Sequence, residues 1–163
     1  MSALVFAVSA LLRPMNGQDL DAVLALEQGA YSHPWSRGNF ADSLAAGHHC
    51  EVAVDAATSE LLAYLVAQPG VDEMHLLNLA VAPAHRRRGH AQALMARLVE
   101  QARARAQQAV WLEVRAGNQR ALHFYEACGF QRSGLRRGYY PSHTHRREDA
   151  VLMTLELGSA QAA

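Results

Sequence analysis

The feature that most constrains this chain is a change of hydrophobic period at Pro83. The stretch 74–81 before it has the length and apolar content of a strand. After it, apolar residues recur on one face of a long helix that begins near Gly89, namely Ala91, Leu94, Met95, Leu98, Val99 and Ala102. With a further strand at 110–114, this order predicts a parallel, right-handed crossover. Such units bind ligands beyond the carboxyl ends of their strands. We therefore expect the functional site near Val81, Gly89 and Arg115.

The rest of the chain predicts short strands and helices within one domain. Further strands are predicted at 4–13, 49–54, 61–67, 130–138 and 149–157. Further helices are expected after Asn16-Gly17, from the N-cap residue Ser36 to Gly47, and over 118–127. The expected fold is α/β, a mixed and mostly antiparallel sheet with helices on both faces. It forms a single domain over 1–163, with its core at about 4–157 and a short disordered tail.

Composition argues against several classes of protein. The chain has 15 basic and 15 acidic residues, and a net charge of zero is atypical of a nucleic-acid-binding protein. Cys50 and Cys128 lie far apart without a CxxC, which indicates neither a disulfide framework nor a zinc knuckle. The apolar segment 3–12 alternates and follows no positive charge, so we interpret it as a strand rather than a signal peptide. We expect a cytoplasmic protein without membrane or direct nucleic-acid partners.

A basic, small-residue loop lies between the predicted strand and the long helix. Its sequence is Arg86-Arg87-Arg88-Gly89-His90-Ala91. Unpaired N–H groups at a helix start, together with the helix dipole, suit the binding of a pyrophosphate. The loop is neither a Walker A motif nor GxGxxG. An ordinary basic loop at a helix start is the alternative interpretation.

The loop matches the signature Q/R-x-x-G-x-G/A of the GNAT acetyltransferases, with Ala91 in place of the commoner glycine and His90 in place of an apolar residue. Further segments narrow the resemblance to the RimI subfamily and cover roughly 13–157: HPWS at 33–36, LNLAV at 77–81, WLEVR at 111–115, FYE at 124–126, RGYYP at 137–141 and REDA at 147–150. The resemblance implies a GNAT fold and acetyl-CoA as co-substrate.

The resemblance also assigns site residues. An N-acetyltransferase must deprotonate an ammonium, and Glu113 resembles the proton acceptor of the subfamily. It shares a strand face with Trp111, and burial there would strengthen it as a base. A Glu paired with a nearby Arg is the structural alternative. Tyr125 resembles the general acid, although a tyrosine beside apolar residues is often part of a core. The residues implied for acetyl-CoA are Leu79, Ala80, Val81, Arg86, Arg87, Arg88, Gly89, His90, Ala91, Gln92 and Asn118, which is also a predicted N-cap.

The acceptor implied by the resemblance is the N-terminal alanine of a small-subunit ribosomal protein. Trp35, Tyr139 and Tyr140 are candidates for the peptide cleft. Two alternatives stay open: an acetyltransferase for lysine or small amines, and a non-catalytic acetyl-CoA-binding module. His48-His49 and His143/His145 lack the spacing of zinc sites, so we predict no metal. We expect a monomer or weak dimer.

Overall fold

The computed structural model describes residues 9–144 and 146–158. Within them the strands are β1 Ala10–Pro14, β2 His49–Asp55, β3 Leu61–Pro69, β4 Glu73–Val81, β5 Ala109–Arg115, β6 Gln131–Tyr140 and β7 Glu148–Glu156. The helices are α1 Leu20–Ala30, α2 Arg37–Ala45, α3 His90–Ala104 and α4 Gln119–Ala127, with short 3-10 turns at Gly17–Asp19 and Pro83–His85. Residues 4–8 of the predicted first strand and the predicted tail at 159–163 lie outside the described residues.

The strands form one mixed sheet in the order β1-β2-β3-β4-β5-β7-β6. The predicted parallel pairing is confirmed, because Glu73–His75 of β4 run alongside Ala109–Trp111 of β5 in the same direction. The pairs β1–β2, β5–β7 and β6–β7 are antiparallel. The predicted class, an α/β fold with a mostly antiparallel mixed sheet, is therefore confirmed.

The helix ends follow the predicted local chemistry. Ser36 caps α2, and its hydroxyl accepts a hydrogen bond from Asn39 N–H. The Asn39 side-chain oxygen in turn accepts from Ser36 N–H, which completes a capping box. Asn118 caps α4 by accepting from Ala121 N–H at 3.2 Å. After α4, Gly129 adopts a φ of +98°, a left-handed conformation that glycine takes without steric cost. Both predicted N-caps are thus confirmed.

The chain divides into two compact units. The first contains the chain up to Val66 together with Asn78–Leu94, and the second contains Ala67–Leu77 and the chain from Met95 onward. Each unit has its own fully buried side chains: Val23, Phe40, Leu62, Tyr64, Leu65 and Leu94 in the first, and Met74, Leu98, Leu112, Leu122 and Met153 in the second. Among the described residues, no helix is both long and apolar enough to cross a membrane.

Candidate active site

The basic loop of the first unit has a backbone shaped for a close approach. Arg87 and Gly89 have φ values of +62° and +84°, so the chain turns sharply before α3 begins. The side chains of Arg86, Arg87 and Arg88 are exposed. The next residue, His90, starts α3, where the first N–H groups have no partner within the helix. The loop therefore offers both side-chain cations and backbone donors to an anion.

His90 is the exception in this loop because its side chain is buried. The residue is 6% exposed, and its Nε2 has no hydrogen-bond partner among the described residues. Burial lowers the pKa of His90, and nearby His85 and Arg88 lower it further. The ring is therefore neutral at physiological pH, and the positive charge of the loop comes from its arginines.

The end of β4 in the first unit is fixed by a tyrosine that the sequence did not single out. The Tyr31 hydroxyl donates to the Leu79 carbonyl. Leu79 and Val81 are half-buried while Ala80 is buried, and Ala82 N–H donates to Leu62 O at 2.8 Å. Leu79, Ala80 and Val81, which the resemblance assigns to acetyl-CoA, are thus held in extended conformation.

A buried carboxylate, Glu27, organises the same unit. Glu27 is 2% exposed and accepts from the Tyr64 hydroxyl, from Asn78 Nδ2 at 2.9 Å and from Trp35 N–H at 3.1 Å. Burial and the bond to Glu27 raise the pKa of Tyr64, so it remains a donor. A single carboxylate therefore links α1, β3, β4 and the segment before α2. The sequence signal for this role was a charged residue on the apolar face of α1, and Glu27 was not identified from it by sequence analysis.

Trp35, predicted to line the peptide cleft, has a structural role in this unit. Its backbone is bound by Glu27, and its ring lies 5.1 Å from that of Phe40. Phe40 in turn meets Tyr64 edge-on at 5.7 Å. The half-buried Trp35 side chain therefore packs at the rim of an aromatic cluster.

In the second unit, Glu113 occupies the environment expected from its strand. Leu112 and Val114 are buried on one face of β5, while Trp111, Glu113 and Arg115 share the other. The Glu113 side chain is 9% exposed, so its carboxylate is largely shielded from water. The alternation predicted from the sequence is confirmed.

Three side chains surround the Glu113 carboxylate. His75 Nε2 lies 3.9 Å and Arg136 Nη2 lies 4.0 Å from Glu113 Oε1. Tyr139 is the third neighbour, and its interaction with the Glu113 carboxylate is the main reason that the pKa of Tyr139 is raised. Glu113 therefore has an arginine nearby, as the structural alternative required, but that arginine is 48% exposed and lies beyond hydrogen-bond distance.

The tyrosine pair predicted to contact the acceptor is fixed by an ion pair. Tyr139 and Tyr140 meet edge-on at 5.0 Å, and Tyr139 is 43% exposed. The Arg115 guanidinium lies 4.5 Å from the Tyr140 ring centroid and donates to Glu148 at 3.1 Å. Glu148 also accepts from Gly117 N–H at 2.9 Å. Burial, followed by the charge of Glu113, raises the pKa of Tyr140 to about 12, so both hydroxyls stay protonated.

Tyr125 and Asn118 both belong to α4 and its cap. The half-buried Tyr125 ring lies 5.7 Å from Phe130 and 5.3 Å from Phe124. Its ring is therefore anchored by aromatic contacts. Asn118 is exposed, and its side chain is used by the cap.

Neither cysteine has the environment of a nucleophile. Cys50 is buried and Cys128 half-buried, and burial raises the pKa of both thiols, that of Cys50 to about 11. Within 9–144 and 146–158, no three His, Cys, Asp or Glu side chains come together in a way that would hold a metal ion.

The chain matches a known family of proteins. Residues 20–130 match the acetyltransferase (GNAT) family, and the chain belongs to that family. It is 37% identical over 139 residues to the ribosomal protein bS18-alanine N-acetyltransferase of Escherichia coli K12, covering 85% of this chain and 92% of that enzyme. The enzyme of the same name from Haemophilus ducreyi is 35% identical over 140 residues, covering 86% and 95%.

Solved structures agree with the sequence relatives. The crystal structure of the ribosomal-protein-S18-alanine N-acetyltransferase from Escherichia coli superposes with a TM-score of 0.84 at 33% identity, covering 94% of this chain and 97% of that one. Ard1 from Thermoplasma volcanium also gives 0.84, at 23% identity, which speaks for the fold alone. The chain is thus an N-acetyltransferase of the GNAT family, and its characterised relatives are of the RimI type.

Proposed function

We propose that this protein transfers the acetyl group of acetyl-CoA to the α-amine of an N-terminal alanine, and that the acceptor is the small-subunit ribosomal protein bS18. The observation that carries the proposal is the shielded carboxylate of Glu113 on β5. The relatives supply the acceptor, because their similarity extends over more than nine-tenths of the bS18 enzymes. An acceptor of this kind places the protein in the cytoplasm.

In this proposal, acetyl-CoA is held by the residues that the family resemblance assigns to it. The backbone of Leu79, Ala80 and Val81 pairs with the pantetheine arm as an added strand would, and Val81 N–H polarises the thioester carbonyl. The loop from Arg86 to Gln92 binds the pyrophosphate through arginine side chains and α3 N–H groups. Asn118 adds a contact beside its role as a cap.

The chemistry requires a base and an acid. Glu113 accepts a proton from the α-ammonium, whose ordinary pKa is about 8, and the free amine attacks the thioester carbonyl. When the C–S bond breaks, the departing thiolate takes a proton from the Tyr125 hydroxyl, and the second proton that the nitrogen loses as the amide forms restores that hydroxyl. Acetyl passes directly to nitrogen, since both cysteines are protonated at physiological pH.

The acceptor is recognised on its backbone and its free amine. Tyr139 and Tyr140 stand beside Glu113 with hydroxyls that stay protonated, so each is a donor for a peptide carbonyl. The exposed Tyr139 ring supplies apolar surface for the small alanine side chain. Trp35 supports the acceptor side by packing rather than by charge.

The test is steady-state release of free CoA with matched acceptors. One peptide begins with a free alanine and has a ribosomal-protein sequence, and its control is the same peptide blocked at the N-terminus but containing lysine. Spermidine and an aminoglycoside complete the panel. Turnover of the free peptide alone supports the proposal. Turnover only of lysine or small amines overturns the acceptor, and binding of acetyl-CoA without any turnover overturns the activity.

A further inference from the structure

The fate of the proton is left open by the assignment of Glu113 as base. At neutral pH the α-amine is an ammonium, so each turnover converts R–NH3⁺ and acetyl–S–CoA into R–NH–acetyl, HS–CoA and one H⁺. The proton taken by Glu113 must therefore leave before the next cycle. With its side chain 9% exposed, Glu113 has little direct access to water.

His75 is a neighbour of Glu113 with a basic ring nitrogen that can accept a proton. It belongs to β4, pairs in register with Trp111 of β5, and places Nε2 at 3.9 Å from Glu113 Oε1. This separation is longer than a hydrogen bond, and catalytic hydrogen bonds are often long before substrate binds. The relay therefore requires the Glu113 carboxyl group to turn toward Nε2 during the cycle. The His75 side chain is 24% exposed, more than twice the exposure of Glu113, so it reaches both the carboxylate and the solvent.

The orientation of the His75 ring is held by stacking. Its centroid lies 3.6 Å from that of Trp111, with the two planes 8° apart. This contact fixes the ring plane while leaving Nε2 directed at the carboxylate. A histidine with only a packing role would not need to place a ring nitrogen there.

We propose that His75 is a proton relay for Glu113: its Nε2 takes the proton from the Glu113 carboxyl oxygen, and the imidazolium then releases a proton to water. The inference rests on the proposed function, in which Glu113 deprotonates the acceptor amine. The transfer restores the carboxylate and balances the one proton that each cycle produces. His75 is a positioning and relay residue and does not contact the reacting atoms.

The electrostatic surroundings suit a relay. Burial lowers the pKa of His75, the charge of Glu113 raises it, and Arg136 of β6 lowers it. The ring is thus neutral and ready to accept at physiological pH, and the carboxylate stabilises the imidazolium that forms. Tyr139 and Tyr140 of β6 also face Glu113, and both stay protonated in this range.

The decisive variant is His75→Phe, which retains an aromatic ring against Trp111 and removes the nitrogen. We expect kcat at neutral pH to fall on the order of tenfold, less than the 10²–10⁴-fold typical of losing a direct base. The Tm, the Kd for acetyl-CoA and the KM for the peptide should stay close to wild type. The deficit should shrink above about pH 8, where the amine is already deprotonated. Added imidazole should restore part of the rate.

A second variant and a comparison of acceptor amines make the outcome unambiguous. His75→Gln retains a polar side chain but has no basic nitrogen. If His75→Phe does not fold, His75→Gln takes its place and should show the same loss of rate, the same recovery above about pH 8 and the same partial rescue by imidazole. Wild-type kcat and pH dependence in His75→Phe would overturn the relay, as would a pH-independent loss accompanied by a lower Tm. If wild-type enzyme uses another amine and not the alanine peptide, the proposed function fails, and the same comparison with that amine still tests the relay.

Discussion

At the scale of single residues, the role of each buried carboxylate is set by the groups around it. Glu113 and Glu27 are both shielded, yet their neighbours differ. Glu27 accepts three hydrogen bonds within its unit, which commits it to structure. Glu113 has Tyr139 beside it, and the neutral His75 ring and the Arg136 cation lie near 4 Å, which leaves lone pairs for a substrate. The second arrangement is the one that a base needs.

Glu113→Gln should lower kcat by about 10²–10⁴-fold, because the amide cannot accept the ammonium proton. The Kd for acetyl-CoA, measured by calorimetry, should be nearly unchanged. Glu156→Gln, at an exposed position on β7, is the matched control and should retain full activity. Wild-type turnover by Glu113→Gln across the pH range would remove Glu113 from its role.

Asp19 should make stability depend on pH. A bidentate bond from Arg13, at 2.7 and 2.8 Å, lowers the pKa of Asp19. The stabilisation is therefore complete above the unfolded pKa near 4 and is lost as pH falls through the lower folded value. Asp19→Asn should cost about 1 kcal/mol at neutral pH and nothing in strong acid.

Urea unfolding at several pH values measures this effect, with the exposed Asp42→Asn as control. A cost for Asp19→Asn that stays constant into strong acid would contradict the ion-pair explanation.

At the scale of elements, Glu27 joins α1 to β3, to β4 and to the segment before α2. Glu27→Ala leaves the Tyr64 hydroxyl and the Asn78 amide buried without an acceptor. We expect a loss of unfolding free energy on the order of 3 kcal/mol. Gln28→Ala, on the exposed side of the same helix, should change it little. Equal unfolding midpoints for the two variants would show that the network does not hold these elements together.

Most of the helices and strands could be predicted from the sequence. The change of period at Pro83 predicted β4 and α3, and side-chain chemistry predicted the caps at Ser36 and Asn118. The ends of strands were less accurate. Strand β6 was predicted to end at residue 138, but it runs to Tyr140. Backbone pairing of Tyr140 with Glu148 of β7 extends the strand beyond the residues whose apolar pattern predicted it.

The candidate site could be predicted only in part, because a local sequence pattern describes one strand and not its neighbours in the sheet. Glu113 lies on its own strand among apolar neighbours, so its face and burial follow from period-two alternation. His75 and Arg136 reach it from other strands through the pairing of the sheet, which no local pattern encodes. Their proximity to Glu113 could be recognised only from the pairing of the strands in the structure.

At the scale of the whole molecule, the two thiols bear on the kinetic mechanism. Because the pKa of each is raised, neither is a thiolate at physiological pH. The double variant Cys50→Ala/Cys128→Ala should therefore retain wild-type kcat, and initial rates should follow a sequential pattern. Parallel double-reciprocal lines, or an acetylated enzyme isolated without acceptor, would indicate an acyl-enzyme instead.

The central claim is that the acceptor is an N-terminal α-amine and that Glu113 deprotonates it. The most direct measurement incubates intact bS18, beginning with alanine, with acetyl-CoA and enzyme, and maps the acetylated site by peptide mass spectrometry. The enzyme contains no lysine, so any acetyl-lysine must come from the acceptor. We expect acetyl on the alanine α-amine with wild type and none above background with Glu113→Gln. Acetyl on lysine side chains, or equal modification by both enzymes, would contradict it.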